Sequence, residues 1–158
     1  MATLMGKGPV LDGAAAESVV PPLVERACAA YGGNPESIAA ARWFAADFLA
    51  RARAVHGFPV SSGTVGVAQL VVSELVTNAC KYAPGPCSVD LELHLDPAEP
   101  VLDIAVWDTS PVLPIARAAE PGRVGQHGLE LVLAQCEGFD VRRDPVGKRI
   151  RVRIAVER

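Results

Sequence analysis

The alternation at residues 88–95 constrains this chain most. Val89, Leu91, Leu93 and Leu95 fall on one side of an extended backbone; Ser88, Asp90, Glu92 and His94 fall on the other. Side chains alternate faces along a strand, so the segment predicts a half-buried strand with one wet face. After a turn at Asp96-Pro97, Leu102, Ile104 and Val106 repeat the pattern in a second strand that ends at Trp107-Asp108. Near the C-terminus, Phe139-Asp140-Val141 predicts one arm of a hairpin and Asp144-Pro145-Val146-Gly147 its turn. The second arm sets Ile150, Val152, Ile154 and Val156 inward against Arg149, Arg151 and Arg153 outward. Hairpin-linked strands with one apolar face make a sheet that is largely antiparallel and must be covered on that face.

Helices supply the cover. Asn34-Pro35-Glu36 reads as an N-cap, a proline in the first turn and an acid near the positive end of the helix dipole. Ala40, Phe44, Phe48, Ala52 and Val55 follow at helical spacing, with Arg42, Arg51 and Arg53 on the wet side and His56-Gly57 as the stop. Ser61-Ser62-Gly63 precedes a second helix over about residues 64–82, which Pro84-Gly85-Pro86 ends. A third helix is expected over about residues 129–136, after a loop at 109–127. Residues 1–33 read as a peripheral tail punctuated by glycine and proline, with a short helix over about 22–31, and residues 34–158 as the folded domain. The fold class is therefore α+β: a two-layer α/β sandwich in which helices cover one face of a mainly antiparallel mixed sheet.

Composition narrows the function classes. A chain of 158 residues is one domain, able to bury roughly 70% of its unfolded surface without a disulfide or metal staple. Half of it is hydrophobic, and the longest run without Lys, Arg, Asp or Glu, residues 54–73, carries His56, Pro59 and three glycines and predicts no membrane span. Residues 1–7 lack a basic region followed by an apolar core, which argues against a signal peptide and for a cytoplasmic protein. Cys28, Cys80, Cys87 and Cys136 form no C-x-x-C pair, so they read as reduced thiols rather than zinc ligands. The net charge of −3 argues against a general nucleic-acid binder. Residues 142–158 do hold seven cations against two acids, but no aromatic interleaves them, and charge on an edge strand has a protective role of its own.

Three segments carry candidate chemistry. On the second helix, Glu74, Asn78 and Lys81 share a face with Val67, Leu70 and Val71, so an acid, an amide and an amine interrupt an apolar stripe. Asp108 closes a strand, where a carboxylate can accept hydrogen bonds from an amino-bearing ring. Gly125-Gln126-His127-Gly128-Leu129 joins a glycine loop to a helix start, where backbone N–H groups favour an anion. Read singly, each has a plainer account: an exposed helix margin, an Asx-type turn residue, and a polar linker around His127.

Taken together and in order, they resemble the GHKL ATP-binding superfamily of histidine kinases, DNA gyrase B subunits and MutL proteins. Ser73-Glu74-Leu75-Val76-Thr77-Asn78-Ala79 looks like its N-box, Trp107-Asp108-Thr109-Ser110-Pro111 like a variant first glycine box, and Gly125-Gln126-His127-Gly128-Leu129 like the second. The small size resembles the anti-sigma factor serine/threonine kinases of the SpoIIAB/RsbW type. The resemblance implies the Bergerat fold, with Glu74 as general base and Asn78 as ligand of a Mg²⁺ that bridges the ATP phosphates. Lys81 and the Gly125, His127, Gly128 and Leu129 stretch would hold phosphate charge, and Asp108 would accept from the adenine amino group. Residues 109–127 would form the ATP lid. It further implies a STAS-type anti-anti-sigma protein as phospho-acceptor, a sigma factor as sequestered partner, and a homodimer as a compatible assembly; neither nucleic acid nor membrane is contacted directly. Two departures stand out. The usual Asp-x-Gly-x-Gly is Asp108-Thr109-Ser110-Pro111-Val112 here, and Arg149 follows Gly147-Lys148 where many relatives carry threonine. These departures favour, as an alternative, an ATP-binding partner module with little or no phosphoryl transfer.

Overall fold

The computed structural model describes residues 23–109, 130, 134 and 136–158. In chain order these form β1 (Val24–Tyr31), α1 (Pro35–His56), α2 (Ser62–Tyr82), β2 (Cys87–His94), β3 (Val101–Asp108), β4 (Gly138–Asp144) and β5 (Gly147–Ala155). The strands make one five-stranded sheet in the order β1-β2-β3-β5-β4, and every pairing is antiparallel. Both helices pack on the same face: α2 lies over β3, and α1 lies against α2 and the β1 edge. The expected two-layer sandwich is present, and its sheet is antiparallel throughout.

The helix ends are fixed where the sequence marks them. Asn34 Oδ1 accepts from the backbone N–H of Ser37 at 3.2 Å and from its hydroxyl at 2.9 Å. Gly57 closes α1 at φ 63°, a left-handed conformation that costs glycine little, and donates its N–H to the Arg53 carbonyl. Ser61 Oγ accepts from Thr64 N–H at 3.1 Å, and Ser61 N–H donates to the Glu157 carbonyl at 2.8 Å. The start of α2 is thereby tied to the end of the chain.

The core lies between the layers. Val89, Leu91 and Leu93 of β2, Leu102, Ile104 and Val106 of β3, and Ile150, Val152 and Ile154 of β5 meet Val71, Val72, Leu75, Val76 and Ala79 of α2. On α1 the buried stripe is Ala41, Ala45, Phe48, Leu49 and Ala52; Ala40 and Val55, expected inside, are exposed. This helix is alanine-rich on several faces, so apolarity alone leaves its phase open, and the close approach to α2 selects the row that holds two small alanines ahead of Phe48.

Residues 24–31 correct the expected short N-terminal helix. They form β1, paired along its whole length from Val24 opposite His94 to Tyr31 opposite Cys87. Glu25, Ala27, Ala29 and Tyr31 are half-buried while Arg26, Cys28 and Ala30 are exposed, a period of two. Alanine favours helix locally, but an unpaired β2 edge offers a full ladder of backbone hydrogen bonds, and pairing overrides propensity. The folded unit therefore includes β1, ahead of the expected boundary at residue 34. The expected third helix falls mostly outside the described residues; Glu130 and Ala134 are helical.

The outer face of the sheet carries a charged network. Asp103, 5% exposed, accepts from Arg151 at 2.7 Å and from Arg153 at 2.8 Å through both Nε and Nη2. Burial alone raises the Asp103 carboxyl; hydrogen bonds from Arg153 and Arg151 and their charge outweigh it and hold the group down at about 2. A carboxylate depressed in the folded state contributes stability above its ordinary value of 3.8 and loses that contribution as pH falls towards 2. Asp103→Asn is expected to cost about 1–2 kcal/mol at neutral pH, allowing for screening of the half-exposed arginines. It should also flatten the fall of the urea midpoint between pH 4 and pH 2, which urea titrations across that range read directly. Arg149 sits 5.4 Å from the Trp107 ring centroid, and Trp107 Nε1 donates to Asp90 at 3.1 Å. The outward arginines of β5 are thus engaged with acidic and aromatic neighbours on their own sheet.

Candidate nucleotide site at the C-terminal end of α2

Several element ends converge at one end of the sandwich. There α1 begins, α2 ends, β2 begins at Cys87, β3 ends at Asp108 and β5 begins at Gly147. Tight contacts hold them together. Cys80 Sγ donates to the Asn34 carbonyl at 3.5 Å. A side chain on Gly33, which sits at φ 83°, would strike the Gly85 carbonyl at 2.0 Å, so two loops touch through bare backbone. Burial pushes the Cys87 thiol up, and Cys80 and the Asp108 carboxylate push the same way.

On α2, Glu74 and Asn78 are half-buried and Lys81 is exposed, one helical turn apart in succession. Desolvation by the surrounding protein raises the Glu74 carboxyl above its ordinary value, and the Lys81 charge pulls it partly back. Neither Glu74 nor Asn78 is drawn into a hydrogen bond or ion pair with another described residue. The uncommitted amide oxygen of Asn78 is a hard donor that suits a divalent cation held jointly with phosphate oxygens, and it fits Mg²⁺. The Glu74 carboxylate, of raised basicity, stands one turn away.

Asp108 closes β3 on its inner face, in phase with Leu102, Ile104 and Val106. Directly opposite in the ladder stands Lys148 of β5, in phase with Ile150, Val152 and Ile154. Their side chains form an ion pair, Nζ to Oδ2 at 2.8 Å, with side-chain exposures of only 5% and 3%. Sequence reasoning found Asp108 and missed Lys148. The missing signal was strand phase: two residues before Ile150, Lys148 had to point inward, and a buried ammonium needs a carboxylate.

The profile of the histidine kinase-like ATPase domain matches residues 33–154. The chain belongs to that family. Among solved structures, it resembles the RsbU and RsbW domains of Rv1364c from Mycobacterium tuberculosis, with a TM-score of 0.61 and 16% identity over 85% of this chain. The match spans about a third of that longer chain, 33% of its length, and at this identity it shows a shared fold. No curated protein matches. The family assignment agrees with the GHKL motifs. Of the residues those motifs single out, Glu74 and Asn78 lie on the helix over the sheet, and Lys81 one turn further on. Gly125, His127, Gly128 and Leu129, expected as the second glycine box, and all of the expected lid at 109–127 except Thr109 lie outside the described residues. Among the described residues no helix is long and apolar enough to cross a membrane.

Proposed function

We propose that this histidine kinase-like ATPase domain binds Mg²⁺-ATP and acts as a serine/threonine protein kinase of the anti-sigma type. The observation that carries the reading is the α2 face: a half-buried Glu74 whose basicity burial raises, one turn before the amide of Asn78. Asn78 would hold the metal ion, which neutralises charge on the phosphates. Glu74 would take the proton from an attacking hydroxyl as it approaches the terminal phosphate. Lys81, exposed on the same face, supplies positive charge at the phosphate end. Likeness to an RsbW domain supports a STAS-type anti-anti-sigma protein as acceptor and a sigma factor as sequestered partner.

A second reading has its own observation. Asp108, the residue expected to accept from adenine, is already held by Lys148. This favours a nucleotide-dependent partner-binding module with little transfer. Incubation of the protein with a panel of STAS-type proteins and ATP labelled at the γ-phosphate separates the two. Label on a serine or threonine of one member is the kinase outcome. Stable complex formation without label, in protein that binds Mg²⁺-ATP, is the binding-module outcome and contradicts transfer.

A further inference from the structure

On the outer face of the sheet one row of side chains leaves a cation uncompensated. Across the strands the row runs Ala30, Ser88, Trp107, Arg149 and Arg142, each directly opposite the next in the ladder. Both helices pack on the other face, so among the described residues no element covers this row. Arg149, Arg151 and Arg153 of β5 are all half-buried. Arg151 and Arg153 share the Asp103 carboxylate. Arg149 makes no hydrogen bond or ion pair with a described residue, and its buried Nε lacks an acceptor. Its guanidinium lies instead 5.4 Å from the Trp107 ring centroid. Trp107 is 37% exposed, and its Nε1 bond to Asp90 fixes the ring.

A partly desolvated guanidinium without an anion has hydrogen-bonding capacity that nothing meets. Stacking on an aromatic ring holds its planar fork in one orientation, so less entropy is lost when a carboxylate joins it. The indole adds apolar contact area, and tryptophan and arginine are the residues that most often dominate protein–protein interfaces. Charge decides the occupant. Arg142 is paired with Asp140, and Arg151 and Arg153 with Asp103, so Arg149 is the one cation of this patch without an acid among the described residues. A nucleic-acid backbone needs several free cations in a row, whereas a single carboxylate needs one. The net charge of −3 gives the chain no general attraction for acids, so any selection of one is local. We propose that Arg149 and Trp107 form a docking point on the outer sheet face for a protein partner that presents one Asp or Glu carboxylate next to an apolar side chain. The carboxylate takes the unused donors of Arg149, and the apolar side chain covers the Trp107 ring. This inference does not rest on nucleotide binding.

A displayed library of random peptides, selected on the folded full-length chain, is the probe. Peptides with an acid next to an apolar residue should be enriched. Replacing that acid by its amide should raise the Kd for the wild-type protein roughly tenfold or more. Arg149→Gln and Trp107→Leu, checked for folding by urea unfolding, should each weaken the same peptides to a similar degree. The peptide-side substitution gives its answer even where a protein variant does not fold. Failure to enrich acidic peptides, or binding indifferent to the peptide's acid or to Arg149 in a folded variant, overturns the proposal. Arg149-dependent binding of single-stranded oligothymidylate that survives physiological salt assigns the patch to nucleic acid and overturns it as well.

Discussion

Glu74→Gln is expected to lower phosphoryl transfer by roughly 10²–10⁴-fold while leaving nucleotide affinity within about threefold of wild type. The substitution keeps the volume and the helix and removes only the ability to accept a proton. Folding should not suffer. Burial raises the Glu74 carboxyl, so its charged form is disfavoured in the folded protein, and a neutral amide lifts that penalty. A melting temperature equal to or above wild type, together with lost transfer, separates a proton-accepting role from a structural one. The pH profile of the wild type carries the same signature. Only the deprotonated carboxylate accepts a proton, so transfer should fall as pH drops through a value above the ordinary 4.5. Unchanged transfer by the Gln variant contradicts the assignment of Glu74 as base.

Gly147→Ala is expected to destabilise the fold by about 3 kcal/mol or more. A Cβ at this position would lie 1.9 Å from the Asp108 carbonyl oxygen and 3.1 Å from Thr109 Cα. Both obstacles are backbone, so relief requires β5 to move away from β3, where the Asp108–Lys148 pair sits one residue along. Urea unfolding reads the loss, and Gly66→Ala provides the contrast. Gly66 lies inside α2, where an added Cβ would meet nothing within 4 Å, so alanine there should stabilise by about 0.5–1 kcal/mol through helix propensity and a less flexible unfolded chain. Equal effects at the two positions would contradict the close-approach argument.

Much of the sheet was legible because its residues alternate cleanly. β2 and β5 carry branched aliphatic residues on one face and mainly polar residues on the other, and β3 sets Leu102, Ile104 and Val106 on one face; a slip of one residue would turn each strand inside out. The caps at Asn34 and Ser61 were legible for a similar reason: the side chain that marks the helix start is the one that makes the bond. β1 was not legible. Its inward residues are Glu25, Ala27, Ala29 and Tyr31, an acid and two small alanines that write no apolar stripe, and only the partner β2 makes it a strand. The site divides the same way. Glu74 and Asn78 are neighbours along one helix and could be placed by helical spacing. Lys148 lies 40 residues from Asp108 and meets it only through the β3–β5 register, which no local pattern specifies.

Calorimetric titration of Mg²⁺-ATP into the wild type and Asn78→Ala tests the central claim most directly. Asn78 is half-buried on α2 with no hydrogen bond to a described residue, so its loss should leave the fold intact and act on the ligand alone. The account predicts saturable binding by the wild type that requires Mg²⁺ and weakens at least tenfold in the variant. Binding that is indifferent to Mg²⁺ or to the Asn78 amide, or no binding at millimolar ATP, would contradict it.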